Sequence, residues 1–205
     1  MSIQFLYFDL GRVLLDFTHE RGFEQIAKAA GIDAGRVQQV LQQDGLSDRY
    51  EVGEITTEEF HQEFCSSTNT TITAEELCLA WSDIFEIMPG SLRIAASLKA
   101  AGNRIGILSN TCEAHWEFAA QRFPLLSQIF DPVITSYATK SMKPDSGIYE
   151  AATKQANIEP REAFFVDDRL ENVDGAKQLG WSAVQFVSPY QLANDLEHLG
   201  VTFNR

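Results

Sequence analysis

The sequence predicts an α/β fold, a parallel sheet of about five strands flanked by helices and carrying an inserted α-helical cap. Three observations lead there: short apolar runs that stop abruptly in polar clusters, helical patterns between those runs, and a long early stretch with helical periodicity alone.

The first run, residues 3–8, is rich in β-branched and aromatic side chains and breaks into Asp9-Leu10-Gly11-Arg12, as a strand buried on both faces and its exit loop would. Similar runs recur at 104–108, 132–135, 163–166 and 182–187, ending respectively in Ser109-Asn110, Ser136, Asp167-Asp168 and Ser188-Pro189. Helical patterns at 90–101, 114–122, 147–156 and 171–179 separate them, the last closed by Gly180 in a C-cap position. Strands alternating with helices make a Rossmann-like parallel sheet, whose ligand site lies beyond the carboxyl ends of the strands where strand order reverses. All of the polar clusters fall at such ends.

Between about Phe17 and Glu86 the pattern is helical only, at 19–30, 34–43, 57–66 and 74–85. Thr57-Glu58-Glu59 and Thr73-Ala74-Glu75-Glu76 have the hydroxyl and first-turn acids of helix starts. The expected division is therefore a core of residues 1–16 and 87–205, with a helical cap of residues 17–86 over the crevice.

Composition bounds the function. Of 205 residues, 44% are hydrophobic and 22% charged, which suits a globular chain. Sixteen Lys and Arg against 29 Asp and Glu leave a formal charge of -13, so the field opposes a nucleic-acid backbone, and any phosphate chemistry needs a local cation. The three cysteines form no C-x-x-C pair, and no apolar run has the length of a membrane span. The expectation is a cytoplasmic protein without nucleic-acid or membrane partners.

The candidate chemistry sits at four strand ends. Asp9 is a possible nucleophile. Ser109 and Asn110, just before a helix, can hold a phosphate oxygen, and Lys143, followed by Pro144, can bring an ammonium into the same crevice. Asp167 and Asp168 are adjacent carboxylates that repel unless a cation intervenes, with Asn172 four residues beyond the second. Magnesium, a hard ion held by a few carboxylate oxygens and waters, meets that need.

These four segments, in this order, resemble the four motifs of the haloacid dehalogenase-like hydrolase superfamily, and the resemblance spans nearly the whole chain. Residues 49–56 resemble the cap segment of the subfamily with a small helical cap, and Met88-Pro89-Gly90 resembles its return to the core. The resemblance implies that Asp9 attacks phosphorus to give an aspartyl-phosphate. It also implies that Ser109 and Asn110 bind the transferred group, and that Lys143 orients and neutralises. Asp9, the Gly11 carbonyl and Asp168 would hold magnesium, with Asp167 and Asn172 in support. The substrate would be a small phosphorylated metabolite.

One departure matters: the superfamily's usual second Asp, which protonates the leaving oxygen, is Gly11 here. General acid–base help is worth about 10²–10⁴ in rate, so its absence predicts a slow enzyme or a substitute donor, for which Asp16 is a candidate. The Phe8-Asp9-Leu10-Gly11 form resembles a branch that includes sugar-phosphate phosphatases. Two other readings compete. A 2-haloacid dehalogenase attacking carbon needs no such acid, and a catalytically weak phosphate-binding regulator would keep the motifs without turnover. His19, His61, His115 and His198 read as structural or surface residues, Trp81, Trp116 and Trp181 as core anchors, and Arg49 and Tyr50 as candidate substrate contacts.

Overall fold

The computed structural model describes residues 2–204. In chain order the elements are β1 (Phe5–Phe8), β2 (Leu15–Phe17), α1 (His19–Ala30), α2 (Ala34–Gln38), α3 (Leu46–Glu51), α4 (Thr57–Thr68), α5 (Ala74–Ser82), β3 (Phe85–Ile87) and α6 (Pro89–Ala100). They continue through β4 (Ile105–Ser109), α7 (Glu113–Arg122), α8 (Leu125–Ile129), β5 (Val133–Thr135), α9 (Ser136–Thr139), α10 (Ser146–Ala156), β6 (Ala163–Asp167), α11 (Leu170–Gln178), β7 (Ser182–Gln185) and α12 (Pro189–His198).

Five strands form one parallel sheet in the order β5-β4-β1-β6-β7. After β1 the chain builds outward through β4 and β5, then crosses back to lay β6 on the other side of β1. Strand order therefore reverses between β1 and β6, where an open α/β sheet leaves its crevice. Every side chain of β1 is buried because helices cover both faces. Alternation sends Leu6 and Phe8 into one apolar cluster with Leu92, Leu126 and Leu192, and Phe5 and Tyr7 into another with Tyr149, Val173 and Trp181. Truncating Phe8 to Ala would cost about 3–5 kcal/mol by the usual cavity penalty.

The expected purely helical stretch proves to be bounded by strands. β2 and β3 pair antiparallel, Leu15 with Ile87 and Phe17 with Phe85, so the chain leaves and re-enters the sheet region through one ribbon. The helix expected to reach Phe85 stops at Ser82 for this reason. Between the two strands, α1–α5 pack on a third apolar cluster that includes Phe23, Tyr50, Phe60, Phe64 and Trp81. The segment expected as one helix over 34–43 is α2 followed by a π turn, Gln39–Gln43, before Gly45 takes the left-handed conformation.

Thr56, not Thr57, caps α4, and Thr73 caps α5; each forms a capping box with the Glu three residues on. This displacement by one residue frees the Thr57 hydroxyl for Tyr50 and Glu113. Among the described residues no helix is long and apolar enough to cross a membrane.

Candidate active site

The crevice at the switch point is a cavity of ≈ 190 Å³. Asp9, Gly11, Ser109, Asn110, Lys143, Asp168 and Asn172 all line it, and Asp167 stands directly behind. The strand ends that are far apart in sequence meet because β1 is flanked by β4 and β6. The Asp9 amide donates to the Val166 carbonyl at 2.9 Å, which carries the register of β1 and β6 up to the nucleophile position.

Lys143 organises the charges. Its Nζ lies 2.8 Å from Asp9 Oδ1 and 2.6 Å from Asp167 Oδ2, and it donates to the Leu108 carbonyl at 2.9 Å. Only 4% of the residue is exposed. Burial works against its charge, yet the attraction of Asp9 and Asp167 prevails and holds its pKa above the usual lysine value. The sequence suggested a metal between Asp167 and Asp168, whereas the Lys143 ammonium is the cation that meets Asp167. Asp167 is further held by Asn172 Nδ2 at 3.0 and 3.1 Å and by the Arg169 amide at 2.8 Å, so Asn172 braces this carboxylate.

Asn110 turns both ends of its amide to the Lys143 backbone: Nδ2 donates to the carbonyl at 2.9 Å, and Oδ1 accepts from the amide at 2.8 Å. The Asn110 side chain, which also lines the cavity, thereby pins the loop that delivers the ammonium. Ser109 is buried at the adjoining wall.

Burial pushes the Asp9 carboxyl up to about 7, against the pull of Lys143 and with help from Asp167. Burial and Asp167 likewise raise Asp168. Asp9, Asp167 and Asp168 each offer a carboxylate oxygen within 4.8 Å of the others. Three carboxylates face one ammonium, an imbalance that invites a divalent cation. With Asp167 committed to Lys143 and Asn172, Asp9 and Asp168 remain, and a magnesium site commonly uses one or two carboxylates. Asp9 Oδ1 accepts from the Leu10 amide at 2.7 Å and from Lys143. The donor set fits magnesium.

At Gly11 a Cβ would come 2.7 Å from a Phe17 ring carbon, so the aromatic ring fills the place where a longer residue would project. Arg12 takes a positive φ of 59°, pairs with Asp16 and lies 4.8 Å over the Phe17 ring. Asp16, considered as a replacement acid, is engaged there and does not line the cavity.

The structure also corrects several expectations. Tyr50 is buried against Phe60 and bonded to Thr57, and Arg49 pairs with Glu63, so neither reaches the cavity. Their neighbour Glu51 does. His19 and His115, read as structural or surface residues, also line it. The His19 ring stacks on Trp81 and the His115 ring lies tilted against it, and burial depresses both, His115 to about 3, so both are neutral imidazoles. None of these three follows from a strand-end pattern, because the α1–α5 layer brings Glu51 and His19 in by tertiary packing.

The haloacid dehalogenase-like hydrolase family model matches residues 6–180. The chain belongs to that family. Within it, the D-ribitol-5-phosphate phosphatase of Bacteroides thetaiotaomicron is 27% identical over 190 residues, covering 89% of this chain and 91% of the relative. A HAD family enzyme of the same organism, solved with magnesium and inorganic phosphate, superposes with a TM-score of 0.79 at 29% identity, covering 90% of this chain and 94% of the other. A (S)-2-haloacid dehalogenase of Pseudomonas is 30% identical over 97 residues, covering 47% of this chain and 42% of that protein.

Proposed function

We propose that this protein is a magnesium-dependent phosphatase acting on a small phosphorylated metabolite of the sugar-phosphate class. Asp9 is the nucleophile, and the single observation that carries the reading is the Asp9–Lys143–Asp167 arrangement beside Asp168 at the switch point. The name of the Bacteroides relative, which acts on a sugar-alcohol phosphate, supports the substrate class. A cavity of ≈ 190 Å³ is below the roughly 300–1,000 Å³ typical of pockets for larger ligands, which favours a short-chain ester.

In this mechanism an Asp9 carboxylate oxygen attacks phosphorus in line with the ester oxygen, giving an aspartyl-phosphate that water then hydrolyses. Lys143 offsets the negative charge of both nucleophile and phosphoryl group. Ser109 donates its hydroxyl to a phosphoryl oxygen, while Asn110 keeps the Lys143 loop in place. Asp9, Asp168 and the Gly11 carbonyl would hold magnesium, whose charge would offset that of the phosphoryl oxygens. Asn172 keeps Asp167 from rotating away from Lys143. Residues 17–86 act as a cap that excludes bulk water and selects the leaving group.

A dehalogenase reading has one observation in its favour, the absence of an acid at Gly11, and the two chemistries part on the label from water. In H₂¹⁸O a phosphatase places the label in released phosphate, because water attacks phosphorus. A dehalogenase places it in Asp9, because water attacks the ester carbon. The direct test is a panel of phosphate esters assayed with magnesium and with chelator, comparing wild type with Asp9→Asn. Turnover that needs both magnesium and Asp9 supports the proposal; full activity in chelator or in Asp9→Asn overturns it.

A further inference from the structure

Gly11 leaves the reaction without the acid that the superfamily's usual first motif carries beside the nucleophile, and every carboxylate at the strand ends already has a partner or a ligand to hold. Asp167 is bound to Lys143 and Asn172, Asp9 and Asp168 are the metal-binding pair, and Asp16 pairs with Arg12 outside the cavity. One carboxyl in the cavity wall is uncommitted. Glu51, the last residue of α3, contributes to the same wall as Asp9 and, among the described residues, makes no side-chain hydrogen bond or ion pair.

Its position is set by its neighbours. The Ser136 hydroxyl donates to the Glu51 carbonyl at 2.6 Å, fastening the end of α3 to the start of α9. On the preceding residue, the Tyr50 hydroxyl is bonded to Thr57 Oγ1 at 2.7 Å and receives the Ala114 amide at 3.1 Å. Two residues on, Gly53 has a φ of +72° and lies so close to the Tyr137 carbonyl that a Cβ would stand 2.2 Å from its oxygen. Only glycine permits that approach. The helix end is thus clamped on three sides, and Glu51 between these clamps lines the cavity.

We propose that Glu51 is the proton donor and acceptor of the reaction, a role delivered from the inserted helical layer in place of the residue missing at Gly11. The inference rests on the phosphatase reading above. In the first step Asp9 forms its bond to phosphorus as the ester P–O bond breaks, and the Glu51 carboxylic proton passes to the departing oxygen, releasing a neutral alcohol. In the second step the Glu51 carboxylate takes a proton from water, the water oxygen bonds to phosphorus, and the P–O bond to Asp9 breaks. Phosphate leaves, Asp9 is again a carboxylate and Glu51 is again protonated.

The electrostatics agree. Burial, then Asp48 on the same helix, push the Glu51 carboxyl up to about 7, while Arg169 from the turn after β6 pulls it down. The other charged or titratable groups of the cavity are Asp9, Lys143, Asp168, Arg12 and the neutral imidazoles of His19 and His115. A carboxyl titrating near neutrality serves as acid and base in turn.

The test uses leaving groups of different basicity on the full-length protein with magnesium. An alkyl phosphate such as ribitol 5-phosphate needs a proton on its departing oxygen, whereas p-nitrophenyl phosphate releases a stable phenolate. In Glu51→Gln, kcat/KM for the alkyl ester should fall by about 10²–10⁴, by far more than for the aryl ester. The basic limb of the wild-type alkyl pH profile should also disappear, and Glu51→Asp should recover part of the loss. Equal falls on both esters, an unchanged alkyl rate, or a persisting basic limb in a folded Glu51→Gln would overturn the assignment. Wild type that turns over neither ester would instead overturn the phosphatase reading itself, and this assignment with it.

Discussion

Lys143 Nζ stands 2.8 Å from Asp9 Oδ1 while also touching Asp167, so a single buried ammonium compensates two carboxylates from two neighbouring strands. Removing one partner of a buried ion pair typically costs about 3–5 kcal/mol, because the other charge stays buried and unpaired. Lys143→Met should therefore lose that much stability in urea unfolding near neutral pH, together with its phosphatase activity. The loss should shrink in acid, where protonation removes the charge of Asp9, whose carboxyl burial pushes up to about 7. A variant as stable as wild type at neutral pH would mean that the carboxylates do not depend on this ammonium.

Asn172 touches both oxygens of Asp167 without sharing a metal site with it. Supporting contacts of this sort are usually worth about 10–100-fold in metal affinity or activity. Asn172→Ala should lose activity in that range, while Asn172→Asp should lose more, since a fourth carboxylate in the cluster would repel Asp167. Titration of activity against magnesium separates weaker metal binding from slower turnover. An undiminished Asn172→Ala would remove this residue from the account.

Glu51 makes a prediction about stability as well as catalysis. Its folded-state pKa, about 7, lies above the ordinary value of 4.5. The folded state therefore binds the proton more tightly, and the associated stability is present below about pH 4.5 and is lost as pH rises through 7. Glu51→Gln should be more stable than wild type near pH 8, by about 3 kcal/mol, and should match it near pH 4. Parallel urea titrations at the two pH values check this, and a Glu51→Gln that is less stable at pH 8 would contradict it.

The parallel sheet was legible because its central strands, β4, β1 and β6, are buried on both faces and so read as unbroken apolar runs with a polar stop. The same property exposed Asp9, Ser109, Asn110, Asp167 and Asp168 as strand-end groups, while Lys143, beyond α9, stood out only as a Lys-Pro pair ahead of a helix. The ribbon of β2 and β3 was not legible: three residues apiece, one face solvated, carry too short an alternation to stand out from adjoining helices. Phe186 and Val187 continue the apolar run past the end of β7 at Gln185, and α12 follows from Pro189. Glu51, Phe17 and His19 reach the cavity through packing of the inserted helices on the core, which no local pattern encodes. Asn110 shows a subtler limit, since its place at the site was readable but its partner, the Lys143 backbone, was not.

The central claim, that Asp9 carries the phosphoryl group, is tested most directly by acid-quenched single turnover with a phosphate-ester substrate and magnesium, followed by mass analysis of the peptides. The account predicts a phosphoryl adduct on the peptide containing Asp9, labile to hydroxylamine and absent in Asp9→Asn. Turnover with no adduct, or with the adduct on another residue, would contradict it.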